Sequence, residues 1–345
     1  MTLPQTDVTV MNARPSTASP APSGALSAAS LSRFMRRLSA DFWREFMFFF
    51  TEHVPPVVLW TKPFFLWFAW RYSRVLRHAT LTNARRLRPA ATEEERYALA
   101  RSIVDSAYLS IYELGRAVRL SREKLRACID DIQGIDNYLA ARRAGRGAII
   151  ATAHLGPFEV GATAILDRER HVHVVFRRDE FTRFDRIRSQ LRTQLGIVEA
   201  PIDDGWAIWL RLRDALQRDE VVLIQADRVM PGQKGVPVPF LGGHLLMPLG
   251  PIKLARAAGA PLIPIFSVRT SVGRVRVVIE APIDVTGDDP AAVGSRRAPP
   301  ALLKLANVIE RHVAAHPEQW MMFEPAWCED RDAGAGPSST HTSAR

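Results

Sequence analysis

The chain has few of the features that define several large enzyme and scaffold classes. Only two cysteines occur in 345 residues, Cys128 and Cys328, without CxxC spacing. This excludes a disulfide framework and a cysteine-rich zinc site, and both read as ordinary thiols of a reducing compartment. There is no GxSxG elbow to present a serine nucleophile, and neither a phosphate loop nor a dinucleotide fingerprint. His171 and His173 point to the same side of one strand, but no HExxH or cysteine pair accompanies them, so no metal is expected. The amino terminus lacks the charged start and continuous apolar run of a secretory signal. No unbroken apolar stretch of about 20 residues exists to span a bilayer.

Acidic residues are also in deficit. Lys and Arg number 46 against 36 Asp and Glu, for a formal charge of +10. Such a surface favours a negatively charged partner, whether anionic lipid, acidic carrier protein, phosphorylated substrate or nucleic acid. No nucleic-acid module is recognisable, and the basic residues accompany a membrane-like aromatic segment, which argues against the last of these.

Aromatics crowd residues 42–70: Phe42-Trp43, Phe46 to Phe50, Trp60, Phe64-Phe65, Trp67-Phe68 and Trp70. Glu52, His53, Lys62, Pro55-Pro56 and Pro63 interrupt them, so two short interfacial helices are expected rather than a span. Arg71, Arg74 and Arg77 follow at three-residue spacing, near one helical face suited to lipid phosphates. The alternatives are a helical cap on the catalytic domain and a single tilted span from Pro55 to Trp70. The expected organisation is a disordered tail over 1–35, a membrane-interacting helical segment over 36–80, a catalytic domain over 81–330 and a second disordered tail over 331–345.

Thr92 to Glu95 has the pattern of a capping box opening a helix that continues through Leu99, Ile103, Ala107, Ile111 and Leu114. Ala148 to Ala153, His171 to Phe176, Val221 to Ala226 and Pro261 to Phe266 are short apolar runs, the mark of strands buried on both faces. Helical stretches around Pro157 to Leu166, Phe181 to Leu195 and Trp206 to Gln217 separate them, and a last helix is expected around Leu302 to Ala314. This alternation predicts an α/β fold with a mainly parallel central sheet flanked by helices, with Val275 to Glu280 as an added strand near an edge.

In open parallel sheets, ligands bind beyond the carboxyl ends of the strands. His154, Arg177 and Asp227 each directly follow a predicted strand and therefore share one rim. In His154-Leu-Gly-Pro-Phe-Glu159, five residues would separate His154 and Glu159 by about 140° on a continuous helix. If the chain folds back at Gly156 with Pro157 in the first helical turn, the carboxylate is expected to reach the imidazole. A carboxylate on one ring nitrogen leaves the other to deprotonate a hydroxyl. Taken in isolation, the same two residues also fit a helix-stabilising acid and a locally satisfied polar residue at a strand end.

His154-Leu-Gly-Pro-Phe-Glu159 resembles the HxxxxE form of the HxxxxD/E motif of the lysophospholipid acyltransferase superfamily. Its flanks resemble the branch of bacterial lipid A biosynthesis (late) acyltransferases. The likeness runs from about Arg77 to Trp327 and includes Gly145 to His154, Arg177, Ala226-Asp227-Arg228, Gly235 to Gly242, Leu254-Ala255-Arg256, Pro261 to Pro264 and Pro317 to Trp320. The resemblance implies an O-acyltransferase in which His154 deprotonates the acceptor hydroxyl and Glu159 orients or charge-balances it. The donor would be an acyl carrier protein or coenzyme A thioester, with no metal or redox cofactor. The acceptor would be a glycolipid such as a lipid A precursor, met at the cytoplasmic face of the inner membrane among its lipids. Arg177 would bind phosphate and Asp227 would hold neighbouring basic groups. Gly156 and Arg228 complete the expected substrate-binding set, with a further basic position at Arg192 or Arg188. Phe240 and Gly242 would shape the pocket. Pro157-Phe158 stands where Asn-Trp is common in the branch, and the ending Trp320 to Trp327 is less basic than usual. These departures bear on the acceptor, which on this reading is a lipid A precursor or another glycolipid. A lipid-binding protein that keeps the fold without turnover is the non-enzymatic alternative.

Overall fold

The structure is a computed structural model and describes residues 47–178, 182–230, 233–286 and 298–334. The expected tail over 1–35 lies outside the described residues, as does most of the expected tail over 331–345. Within these bounds the fold is the α/β architecture that the apolar runs predict.

The central sheet has seven strands: β1 (Ile129–Gln133), β2 (Ala148–Thr152), β3 (Val172–Phe176), β4 (Ile197–Pro201), β5 (Val221–Gln225), β8 (Leu262–Ser271) and β9 (Arg274–Ile279). Their spatial order is β1-β9-β8-β2-β5-β3-β4. From β8 to β4 every neighbouring pair is parallel. β9 turns back antiparallel on β8, and β1 pairs parallel with β9 at the edge. β2 and β5 sit in the middle, covered on both faces, which is why their sequences are nearly all apolar. A separate antiparallel hairpin, β6 (Gly235–Phe240) and β7 (Gly243–Pro248), stands beside the sheet.

Two apolar layers enclose the sheet. One packs α8 (Trp206–Gln217), α9 (Gly250–Ala258) and α10 (Pro300–Ala315), through Ile208, Leu212, Ile252, Leu305 and Ile309, against alternate residues of β2 and β5. On the other face, α6 (Phe158–Leu166) and α7 (Thr182–Gln194) bring Ile165, Ile187 and Leu191 to Ile150, Val174 and Leu223. The period-2 exposure of each strand thus divides one continuous sequence between two cores.

The amino-terminal helices differ in part from expectation. Residues 47–53 are helical, and α1 (Pro55–Tyr72) then runs through Pro63 without a break. Pro55 and Pro56 occupy its first turn, where a missing N–H costs nothing. α1 turns Val58 and Trp70 inward, and the Tyr108 hydroxyl of α3 (Glu93–Ala117) donates to the Val58 carbonyl at 3.0 Å. Trp60, Phe64 and Trp67 are exposed on its outer side. Among the described residues, no helix is long and apolar enough to cross a membrane. Ser73 leaves the helical path and caps α2 (Arg74–Leu87), so Arg71 ends one helix while Arg74 and Arg77 begin another. The expected single arginine face is therefore split, and Arg77 donates back to the Trp70 carbonyl. The capping box of α3 forms as written, with Thr92 and Glu95 each accepting from the other's backbone amide. The remaining helices are α4 (Arg122–Arg126), α5 (Ile135–Arg142) and α11 (Cys328–Gly334).

Candidate functional site

Strand register brings the site together. β2 and β5 are parallel and in step, with Thr152 opposite Gln225. His154 and Asp227 each lie two residues past those partners, so the two side chains leave neighbouring strands at the same height, about 4.8 Å apart. The Ala226 amide donates to the Thr152 carbonyl at 2.8 Å and prolongs the pairing to the edge of the site.

Asp227 is wholly buried and meets three donors. Its Oδ1 lies 2.7 Å from His154 Nδ1, and its Oδ2 accepts from the His154 backbone amide at 3.0 Å and from the Trp320 indole at 2.8 Å. Burial alone would raise this carboxyl's pKa. The His154 charge and the hydrogen bonds from His154 and Trp320 outweigh that effect and bring it from 3.8 down to about 2. The result is a permanent carboxylate behind an imidazole whose side chain is still 19% exposed. Arg228 Nη2 stands 3.1 Å from the other ring nitrogen, Nε2.

The chain between His154 and α6 is pinned at both ends of its turn. Gly156 has φ +61°, and a Cβ there would come within 2.2 Å of the Ser267 carbonyl oxygen. Only glycine satisfies both constraints. The Gly156 amide donates to the Gln319 carbonyl at 3.1 Å, and the Met321 amide to the His154 carbonyl at 2.8 Å. The segment around Trp320 thus closes over the motif from the far end of the sequence. Gly156 acts through backbone shape.

The expected pairing of Glu159 with His154 is corrected by this geometry. Both ring nitrogens of His154 are occupied by other residues, and Glu159 Oε1 lies 3.3 Å from Arg188 Nε on α7. The cause is the path of the chain: Glu159 sits in the first turn of α6, which packs over β8 and β9, and its side chain meets α7 rather than the imidazole. Asp227 takes the place assigned to Glu159, and its expected role of holding basic side chains is met only at the imidazole.

Other residues of the expected set are distributed around this centre. Arg177 follows β3, one strand beyond β5, about 10 Å from His154 by strand spacing. It is 40% exposed and 3.6 Å from Asp203. Arg192 is buried over the Phe176 ring at 3.9 Å, with Glu199 at 2.9 Å and Asp185 at 3.5 Å, so it ties α7 to the β3–β4 edge. Arg188 is the basic residue next to the motif, stacked on Phe158 and ion-paired with Glu159. Between α6 and α7 lies a cleft of about 350 Å³ walled by Ala162, Val174, Leu191, Leu195 and Leu223, with Glu159, Arg188 and Arg192 on its polar side. An adjoining cleft of about 300 Å³ shares Phe158, Ala162 and Leu223 with it and reaches Thr152 and Ser267. Phe240 is fully buried against Trp320 and Trp327 and shapes the hairpin side of the core. His173 is engaged by Glu220 at 2.6 Å.

Trp320 is the functional contact that the strand-end reasoning missed. It lies 93 residues from Asp227, and its isolated bridge to Leu155 has no local sequence signal.

Residues 55–329 match the family described as bacterial lipid A biosynthesis acyltransferase. A phosphatidylinositol mannoside acyltransferase of Mycobacterium tuberculosis (strain ATCC 25618 / H37Rv) is 30% identical over 220 residues, covering 63% of this chain and 66% of that protein. A phosphatidylinositol mannoside acyltransferase of Mycolicibacterium smegmatis is 28% identical over 202 residues, 58% of this chain and 63% of its own length. In both cases the matched stretch is just under two thirds of the relative.

Proposed function

For a chain that belongs to the bacterial lipid A biosynthesis acyltransferase family, we propose an O-acyltransferase that moves a fatty acyl group from a thioester to a hydroxyl of a membrane glycolipid. The observation that carries this reading is the Asp227–His154 pair on the carboxyl rim of the sheet, 2.7 Å apart and backed by the Trp320 indole. Asp227 holds the proton on Nδ1, so Nε2 is the nitrogen that takes the proton of the acceptor hydroxyl. The hydroxyl oxygen then attacks the thioester carbonyl. As the tetrahedral species collapses, the C–S bond breaks and the imidazolium returns its proton to the departing thiolate. Asp227 stays ionised throughout and stabilises the transient imidazolium. Written this way, the reaction uses no metal or redox cofactor.

The apolar clefts beside α6 suit the acyl chain in their lining, which is mostly aliphatic and aromatic with few polar groups. The donor is an acyl carrier protein or acyl coenzyme A. For the acceptor, the relatives' names favour a phosphatidylinositol mannoside or similar phosphate-bearing glycolipid, and the family description favours a lipid A precursor as the second reading. Arg177, exposed on the same rim, is placed to meet its phosphate. The reading places the protein at the cytoplasmic face of the inner membrane, and exposed rings support contact with a lipid surface. Trp60 and Trp67 project from α1, and Trp206 is 85% exposed where α8 starts beyond the carboxyl end of β4.

Mass spectrometry of lipids from cells lacking and overproducing the protein tests the reading, because acceptor and chain length are reported together. A new acylated glycolipid that disappears with His154→Ala is the expected result. Acyl transfer at an unchanged rate in His154→Ala would remove the base, and lipid binding with no transfer by the wild-type protein would leave a non-catalytic lipid-binding role.

A further inference from the structure

The nitrogen of His154 that must take the proton is already engaged. Arg228 Nη2 lies 3.1 Å from Nε2 in hydrogen-bonding geometry. A guanidinium has N–H donors and no acceptor, so Arg228 donates and Nε2 accepts. This also settles the tautomer, with the imidazole proton on Nδ1 and directed at Asp227 Oδ1. In this state no hydroxyl can bind Nε2, because its single lone pair is taken. Proton transfer requires Arg228 to leave.

The surroundings of Arg228 indicate what would draw it away. Among the described residues it forms no ion pair, although it adjoins the fully ionised Asp227 in sequence, and its Nε is buried without a hydrogen-bond partner. Asp227 accepts its three hydrogen bonds from His154 and Trp320, and none from Arg228. Arg228 therefore carries a full charge and at least one unused donor while making a hydrogen bond to a neutral nitrogen. A phosphate offers charge-assisted, bidentate bonds about twice as strong as neutral ones. A phosphate arriving at the rim outcompetes the imidazole for this guanidinium.

We propose that Arg228 is a positioning and specificity-determining residue that caps the proton-accepting nitrogen of His154 until a phosphate-bearing substrate draws it off. This rests on the assignment of His154 as base and names the substrate class that releases it. The capped state protects a bound thioester from water, since the base is exposed only when a phosphate group, of the acceptor or of the donor's carrier arm, is in place. Hydrolysis and transfer share one proton path: the oxygen's proton goes to Nε2, the C–O bond forms, the C–S bond breaks and the thiol leaves with that proton. Arg228 selects which oxygen enters the path.

The test uses the full-length protein with palmitoyl-pantetheine, which has no phosphate, and palmitoyl-coenzyme A as donors. Phosphatidylinositol and dodecyl glucoside serve as acceptors with and without phosphate. In wild type, phosphatidylinositol should be acylated about tenfold faster than dodecyl glucoside, the value of roughly one hydrogen bond. Arg228→Met should abolish that preference and raise acceptor-free hydrolysis of palmitoyl-pantetheine about tenfold. Arg228→Lys, which restores a cationic donor, should bring hydrolysis part of the way back. Wild-type hydrolysis that is faster with palmitoyl-coenzyme A than with palmitoyl-pantetheine would identify the donor's phosphate as the release signal; equal, low rates would identify the acceptor's. If Arg228→Met and Arg228→Lys both hydrolyse at the wild-type rate and keep the preference, the cap is disproved. The double variant His154→Ala, Arg228→Met separates this from the underlying assignment: hydrolysis should fall to background, and hydrolysis that persists without the imidazole would refute His154 as base while leaving Arg228 without its target.

Discussion

The carboxyl rim around β2 and β5 and the outer side of α1 are both conspicuous in sequence, and they are built on opposite plans. At the rim, side chains are fixed by several partners each: Asp227 meets three donors, His154 is held at both ring nitrogens and Gly156 is locked by a positive φ and a close carbonyl. On α1, Trp60 and Trp67 point outward while Val58, Thr61 and Trp70 anchor the helix to the domain. Rigid geometry serves a reaction in which a proton must move between particular atoms. A fluid bilayer asks only for area and a polar–apolar boundary, and exposed rings supply both. A substitution at the rim should therefore change turnover with little effect on attachment, and one on α1 should do the reverse.

The largest effect expected is at His154. His154→Ala should lower acyl transfer by up to about 10⁴-fold, the upper range for a lost general base, with vesicle binding unchanged in cosedimentation. Asp227→Asn should cost nearly as much, up to about 10⁴-fold in kcat, because an amide does not hold the Nδ1 proton or stabilise the imidazolium. The same substitution has a signature in stability. Asp227 titrates from 3.8 unfolded to about 2 folded, so its ionised form stabilises the fold above about pH 4 and that contribution is lost as pH falls toward 2. Acid unfolding followed by circular dichroism should show wild type and Asp227→Asn differing most near pH 5 and converging near pH 2. On the other region, Trp60→Ser with Trp67→Ser should weaken partitioning onto anionic vesicles about tenfold while sparing turnover of a soluble thioester. Loss of turnover with intact binding would reverse the division between the two regions.

How much of this was legible depends on whether the signal was local. Strands β2, β3, β5 and the first half of β8 announce themselves because both faces are covered and their residues are mostly apolar. β1 and β4 lie at the sheet's two edges and carry Asp130, Asp131 and Glu199, so the same period gives no apolar run. The β6–β7 hairpin contains Pro237 and Pro239, which weaken a strand signal but are tolerated where a two-stranded ladder leaves edges unpaired. Its turn at Leu241-Gly242 has positive φ at both residues, a geometry that the glycine alone hinted at. The site followed the same rule. His154, Arg177 and Asp227 were placed on one rim by strand ends, but their pairing depends on the register of β2 against β5, a relation between segments 73 residues apart. Spacing along the chain pointed to Glu159, and spacing across the sheet selects Asp227.

Glu159 offers the finest discrimination. Were it the residue that orients the imidazole, Glu159→Gln would reduce kcat as severely as Asp227→Asn. Its contact is instead with Arg188 at 3.3 Å, both side chains about one fifth exposed, on the border of the cleft between α6 and α7. Such a partly solvated ion pair contributes about 0.5–1 kcal/mol, which corresponds to a fall of about one or two degrees in Tm for a domain of this size. Glu159→Gln should therefore melt slightly earlier, keep kcat within about threefold of wild type, and change KM for the acyl donor more than kcat because Arg188 is released from the cleft's edge. Steady-state kinetics at two donor concentrations with a melting curve in parallel separate the two cases. A kcat collapse at unchanged Tm would return Glu159 to the imidazole and require the rim to rearrange when substrate binds.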